Sequence, residues 1–195
     1  MRQMEDIGRE IEVKLPYASV ADARRALTAI GAETVRERHF EDNALFDRNG
    51  ELKDSKRLVR VRRVDGEAWV TFKGPTGEEP GRHRVRVEHE TAVGDGAVMH
   101  RILDGVGFAV SYRYQKYRTL FRLGELVICL DETPIGCFVE LEGAPDDIDS
   151  AAAALGFSSG DYITASYREL HREEREAGRY AGRDMVFEAR ERTDE

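Results

Sequence analysis

The chain has 195 residues, of which 41% are hydrophobic and 35% charged, with a formal net charge of −8. This length and composition fit one soluble globular domain with a sizeable core, and the acidic balance argues against a nucleic-acid partner, which needs a basic stripe. Two cysteines, Cys129 and Cys137, are too few for a disulfide framework and read as packed thiols. The absence of an apolar leader core and of any membrane-length apolar window predicts no membrane partner and a cytoplasmic location.

Glu10-Ile11-Glu12-Val13-Lys14 alternates strictly and predicts a strand with charges on one face and Ile11, Val13 and Leu15 on the other. Ser19 with Asp22 predicts a helix start, continued through Ala26, Leu27 and Ile30 and ended by Gly31. A strand follows from His39 to Asp47, then the Asn49-Gly50 turn signal, then strands over Arg57 to Val64 and Ala68 to Lys73. The loop Gly74 to Gly81 precedes a strand over Arg82 to Ala92 and a helix from Asp95 to Val106. Strands around Ser111 to Phe121, Leu126 to Asp131 and Cys137 to Glu142 come next, then helices at Pro145 to Leu155 and Asp161 to Ala177. The second half repeats the order of the first, a weak internal duplication, and eight strands can close a barrel that has no exposed edge. The expected organisation is a single domain over residues 1–177 and a charged tail over 178–195, with Met185-Val186-Phe187 as its docking patch.

Read by parity, each strand gathers its charges on one face: Glu10, Glu12 and Lys14; Arg60 and Arg62; Arg84, Arg86, Glu88 and Glu90; Lys116 and Arg118; Glu140 and Glu142. Lys73 and Asp131 alternate in the same sense, and Arg38 adds to the basic set. Periodicity alone allows two barrels. One has an apolar interior and wet charges; the other turns its apolar faces outward under helices and encloses the charges. Enclosure makes sense only with balanced signs and a ligand or metal, because unpaired buried charge costs several kcal/mol or more. Clustered carboxylates hold hard divalent cations, while Lys and Arg neutralise phosphate oxygens, a combination suited to phosphoryl transfer.

The ordered series Glu10-x-Glu12-x-Lys14, Arg60-x-Arg62, Lys73 in Thr-Phe-Lys-Gly-Pro, Arg86-x-Glu88-x-Glu90, Lys116-x-Arg118, Asp131 and Glu140-x-Glu142 resembles the CYTH proteins, or triphosphate tunnel metalloenzymes, over roughly residues 8 to 170. Arg38 to Asn43, Leu45 to Asp47 and Ser166 to Leu170 look most like class IV adenylyl cyclases. The resemblance implies an α+β fold: an eight-stranded antiparallel closed β-barrel, a tunnel with a charged interior and helices outside. It also implies a triphosphate substrate with Mg²⁺ or Mn²⁺. By analogy Glu10, Glu12, Asp131, Glu140 and Glu142 are the metal carboxylates, and Glu88 and Glu90 are further tunnel carboxylates. Lys14, Arg38, Arg60, Arg62, Lys73, Arg84, Arg86, Lys116 and Arg118 bind phosphate. Lys14 is also the candidate base, through a pKa lowered by neighbouring cations.

Three functions follow: hydrolysis of tripolyphosphate, ATP or thiamine triphosphate; cyclisation of ATP to cyclic AMP and pyrophosphate; or non-catalytic polyphosphate or nucleotide binding. The chain is expected as a monomer or homodimer. Phe40, Phe46 and Trp69 are candidates to stack on a base, with a core role for each as the simpler reading. His39, His83, His89, His100 and His171 have no metal-ligand spacing.

Overall fold

A computed structural model describes residues 8–76 and 82–188. The outer part of the Gly74 to Gly81 loop, residues 77–81, and the tail from residue 189 lie outside the described residues. The order is β1 (Arg9–Tyr17), α1 (Val20–Ala29), β2 (Glu33–Asp47), α2 (Glu51–Asp54), β3 (Leu58–Val64), β4 (Glu67–Thr76), β5 (Arg84–Val93) and α3 (Gly96–Gly105), then β6 (Ala109–Leu123), β7 (Leu126–Thr133), β8 (Gly136–Glu142), α4 (Pro145–Ala154) and α5 (Tyr167–Glu176).

All strand pairs are antiparallel and close a barrel in the order β1-β5-β4-β3-β2-β6-β7-β8, with β8 returning to β1. The internal duplication is legible in this order. Exchanging β1 with β5, β2 with β6, β3 with β7 and β4 with β8 reproduces every pairing, so β1–β5 and β2–β6 are the two self-related seams.

The apolar faces point outward. Val13, Leu15, Ile128, Leu130, Val139 and Leu141 form one cluster with Leu27 of α1 and Ile148 of α4, all solvent-free. Ala44, Phe46 and Val61 form a second with Leu103 of α3. Each such buried side chain contributes about 2 kcal/mol. Helices α1 and α3 begin where the sequence predicts: the Ser19 hydroxyl accepts from the Asp22 N–H at 3.1 Å and the Asp95 carboxylate accepts from Ala97 and Val98.

One local element is added and one is corrected. The expected turn at Asn49-Gly50 is followed by a short helix, α2, that the sequence reading did not include; the Asp47 carboxylate holds it by accepting from the N–H groups of Arg48, Leu52 and Lys53 at 2.7, 3.0 and 3.1 Å. The last helix starts at Tyr167, not Asp161. Ser166 and Glu169 form a capping box there, and Ile163 is drawn out of helical conformation by two 2.9 Å backbone hydrogen bonds to Lys14.

One end of the barrel is filled by an apolar plug. Leu45, Tyr112, Tyr114 and Phe138 from the strands meet Tyr167 of α5 and Met185. Met185 reaches this position because its segment pairs with β6 where β7 has ended, with Met185 N donating to Arg113 O and Gln115 N donating to Met185 O.

Candidate active site in the barrel lumen

With the apolar faces outside, alternation turns the other faces into the lumen. Alternation gives it the acids Glu10, Glu12, Glu41, Glu88, Glu90, Asp131, Glu140 and Glu142 and the bases Lys14, Arg60, Arg62, Lys73, Arg84, Arg86, Lys116 and Arg118, but the Arg86 head turns aside to backbone carbonyls, so the acids outnumber the bases by one.

The contacts divide the lumen into zones. Lys14, 2% exposed, lies 2.9 Å from Glu12 and 3.2 Å from Glu140. Lys73 holds Glu10 at 2.5 Å and Glu88 at 2.9 Å. Glu90 accepts from Arg62 at 2.6 Å, Arg60 at 3.2 Å and Thr71 at 2.5 Å. Fully buried Asp131 accepts from Arg118, Lys116 and the Tyr167 hydroxyl at 2.6, 2.9 and 2.7 Å, and Arg118 also pairs with Glu140. Asp131 is thus saturated by protein donors and acts as a post for two cations.

Burial disfavours the charge on Lys14, but Glu12 and Glu140 outweigh it and raise its pKa. The lowered pKa expected of a base is therefore corrected: beside its nearest neighbours, two carboxylates, Lys14 is held as an ammonium ion. Burial would likewise raise Glu140, yet Lys14, Arg118 and Lys116 hold it well below the carboxylate range. Glu142 differs. Among the described residues it forms no ion pair, and burial with the Glu10, Glu12 and Glu140 carboxylates pushes its carboxyl up to about 7.

Two expected lumen cations are placed differently. Arg38 lies on the outer face, its guanidinium 3.5 Å from the Tyr117 ring centre and 2.9 Å from Glu132. Arg38 shares its parity with Phe40, Asp42, Ala44 and Phe46, the outer face of β2, so alternation itself sends it outward and only the family resemblance puts it in the lumen. Arg86 is in register, but its guanidinium donates to the carbonyls of Gly74 at 2.6 and 2.9 Å and Lys56 at 3.0 Å, pinning the end of β4 to the connection between α2 and β3. The sequence reading missed Glu41, 2% exposed and 3.7 Å from both Arg62 and Lys116; its parity with His39 in β2 is the signal that could have found it. It also missed Thr71 and Asn43, neutral residues that give no charge pattern.

An inverted barrel with this lumen is a polyanion site built on a tunnel scaffold. The chain belongs to the CYTH domain family, whose sequence profile matches residues 8–167. It is 24% identical over 172 residues to a protein of Methanocaldococcus jannaschii described as a "putative adenylate cyclase", covering 83% of this chain and 97% of that one. A Vibrio parahaemolyticus structure under the same description aligns with a TM-score of 0.71 at 20% identity, covering 84% of this chain and 97% of that one. A Hippeastrum structure, described as a "putative adenylyl cyclase" with a dominant triphosphatase activity, aligns with a TM-score of 0.65 at 20% identity, over 88% and 97%. At these identities the structural likeness establishes the fold.

The family implies a divalent metal, and the donor set fits one. Glu10, Glu12, Glu140 and Glu142 have carboxylate oxygens of the kind hard cations take, and Glu142 has no cation of the protein's own paired with it among the described residues. Among the described residues no three acidic, histidine or cysteine side chains already converge as a cage; Lys14, Lys73 and Arg118 hold the carboxylates instead. Among the same residues no helix is long and apolar enough to cross a membrane.

Proposed function

We propose that the lumen binds a triphosphate and hydrolyses it, releasing a terminal phosphate. The observation that supports this is a lumen of paired acids and bases with one carboxylate, Glu142, left over. A polyanion entering a lumen of paired charge needs cations to come with it, and the protein offers an unpaired carboxylate pole at which to hold them.

Arg60, Arg62, Lys73, Lys116 and Arg118 neutralise and align the phosphate oxygens, converting a bimolecular attack into an oriented one. Lys14 serves as a charged clamp rather than a base, and Arg84 extends the basic wall beside Glu12. Glu10, Glu12, Glu140 and Glu142 would hold Mg²⁺ or Mn²⁺, which supplies Lewis acidity and a more acidic bound water. In the overall reaction a water oxygen bonds to the terminal phosphorus, the bridging P–O bond breaks, and pyrophosphate or a diphosphate leaves. Tyr167 orders this arrangement through Asp131.

The names of the relatives favour a second reading on the same site, in which the ribose 3′-hydroxyl of ATP attacks the α-phosphorus and expels pyrophosphate. Incubation with tripolyphosphate, thiamine triphosphate and ATP in Mg²⁺ or Mn²⁺, with products separated, decides between them. Phosphate release without cyclic AMP is expected. Cyclic AMP as the main product from ATP would replace hydrolysis by cyclisation, and full activity of Glu140→Gln would contradict the metal assignment.

A further inference from the structure

The lumen wall formed by β2, β3 and β4 carries a feature that an inorganic polyphosphate does not call for. Alternation along β4 puts Trp69 on the same face as Thr71 and Lys73, whose polar heads bond Glu90 and Glu10. In register it stands between Arg62 and Ala92, a residue with a small side chain. The Arg62 guanidinium, held by Glu90 at 2.6 Å, lies 5.5 Å from the indole centre. Trp69 is half-buried and belongs to none of the three apolar clusters. The other aromatic candidates are spent elsewhere: Phe46 packs edge-on against His100 in the core under α3, and Phe40 packs on Tyr117.

Across Arg62 in register lies Asn43, fully buried, with neither amide atom hydrogen-bonded among the described residues; the Oε2 of Glu41 is likewise unbonded. That oxygen faces Lys116 at 3.7 Å but makes no hydrogen bond, and a carboxylate oxygen accepts from a hydroxyl or an amino group. An aromatic face beside unused acceptors and a donor is suited to a base and its sugar.

We propose that Trp69 is the specificity-determining residue of this tunnel: its indole stacks on the base of a nucleoside triphosphate, with Asn43 and Glu41 facing the nucleoside. This rests on the triphosphate reading above. Trp69 is the single tryptophan of the chain, so its emission, excited at 295 nm, reports on the site directly. Titration of the protein with Mg²⁺-ATP is expected to quench that emission, and Mg²⁺-tripolyphosphate is expected to bind by calorimetry without comparable quenching. Trp69→Ala should raise the preference for tripolyphosphate over ATP about ten-fold, the size of a lost base–aromatic stack, and Trp69→Phe about three-fold or less. ATP binding with unchanged emission, or a Trp69→Ala effect equal for both ligands, overturns the inference and leaves the triphosphate reading standing. Failure of the wild-type protein to bind either ligand removes both.

Discussion

Glu41 is a carboxylate buried among cations, and its environment sets the sign of its effect. Burial alone would raise its carboxyl, but Lys116 and Arg118, with His39 and Arg62, hold it well below the ordinary range. Removing it strands Lys116 and Arg62 in a low-dielectric wall, so Glu41→Ala should lower unfolding free energy by about 3 kcal/mol, while Glu41→Gln, which keeps shape and one acceptor, should cost less. Urea midpoints of the three proteins check this; equal losses would mean that packing, not charge, dominates. Asp42 on the outer face gives a pH-dependent case. Burial opposes its charge, but Arg113, bonded at 2.7 and 2.8 Å, and Arg63 at 2.8 Å depress its carboxyl below 3.8. The folded state therefore binds this proton less readily than the unfolded chain, and the stabilisation is present above about pH 4 and fades as pH falls through the depressed value. Asp42→Asn should cost about 1 kcal/mol at neutral pH and nothing once the wild-type carboxyl is protonated in both states. The two arginines at 38 and 118 separate wall from exterior: Arg118→Ala should lower kcat/KM on a triphosphate by about a hundred-fold or more, and Arg38→Ala should leave it within about two-fold.

At the scale of elements, the plug is assembled from a helix and a chain segment that share no sequence neighbourhood with the strands they close. Met185 is fully buried against Tyr112, Tyr114 and Tyr167. Met185→Ala should cost about 3 kcal/mol, the usual loss for truncating a core methionine, read as a shift in denaturant midpoint at constant slope. Ser166→Ala removes half of the capping box and should cost about 1 kcal/mol. The elements also show what a sequence discloses. Strand alternation, the Ser19 and Asp95 caps and the duplication were legible because each is a local pattern of fixed period. The late start of α5 was not, since the segment before it is held extended by β1 of the other end of the chain. Parity also named most lumen charges; the expectation of Arg38 inside ran against it, since Arg38 shares the outward parity of Phe40 and Ala44, and Arg86 has the right parity but a head that turns to backbone carbonyls.

For the whole molecule, periodicity could not decide which face of the barrel points inward. The decision belongs to the helices, because Leu27, Leu103 and Ile148 can be buried only if the apolar strand faces turn out to meet them. That inversion leaves a lumen in which cations and carboxylates already satisfy one another, with Glu142 in excess. Tripolyphosphate alone should therefore stabilise the protein little, whereas tripolyphosphate with Mg²⁺ or Mn²⁺ at a hundred times its dissociation constant should add about 2.7 kcal/mol, visible as a raised melting temperature. Equal stabilisation without the metal would show that the lumen arginines and lysines suffice.

The seam that closes the barrel joins the first strand to the eighth, Glu12 to Tyr17 lying against Cys137 to Glu142. During synthesis at about 5–20 residues per second, β1 leaves the ribosome on the order of ten seconds before the strand that completes its pairing. For that interval Val13 and Leu15 have neither their β8 neighbours Leu141 and Val139 nor the α4 cover that buries them in the finished protein. Nascent chains halted before residue 136 should be the forms that chaperones retain, and the demand for that help should end once β8 and α4 have both emerged.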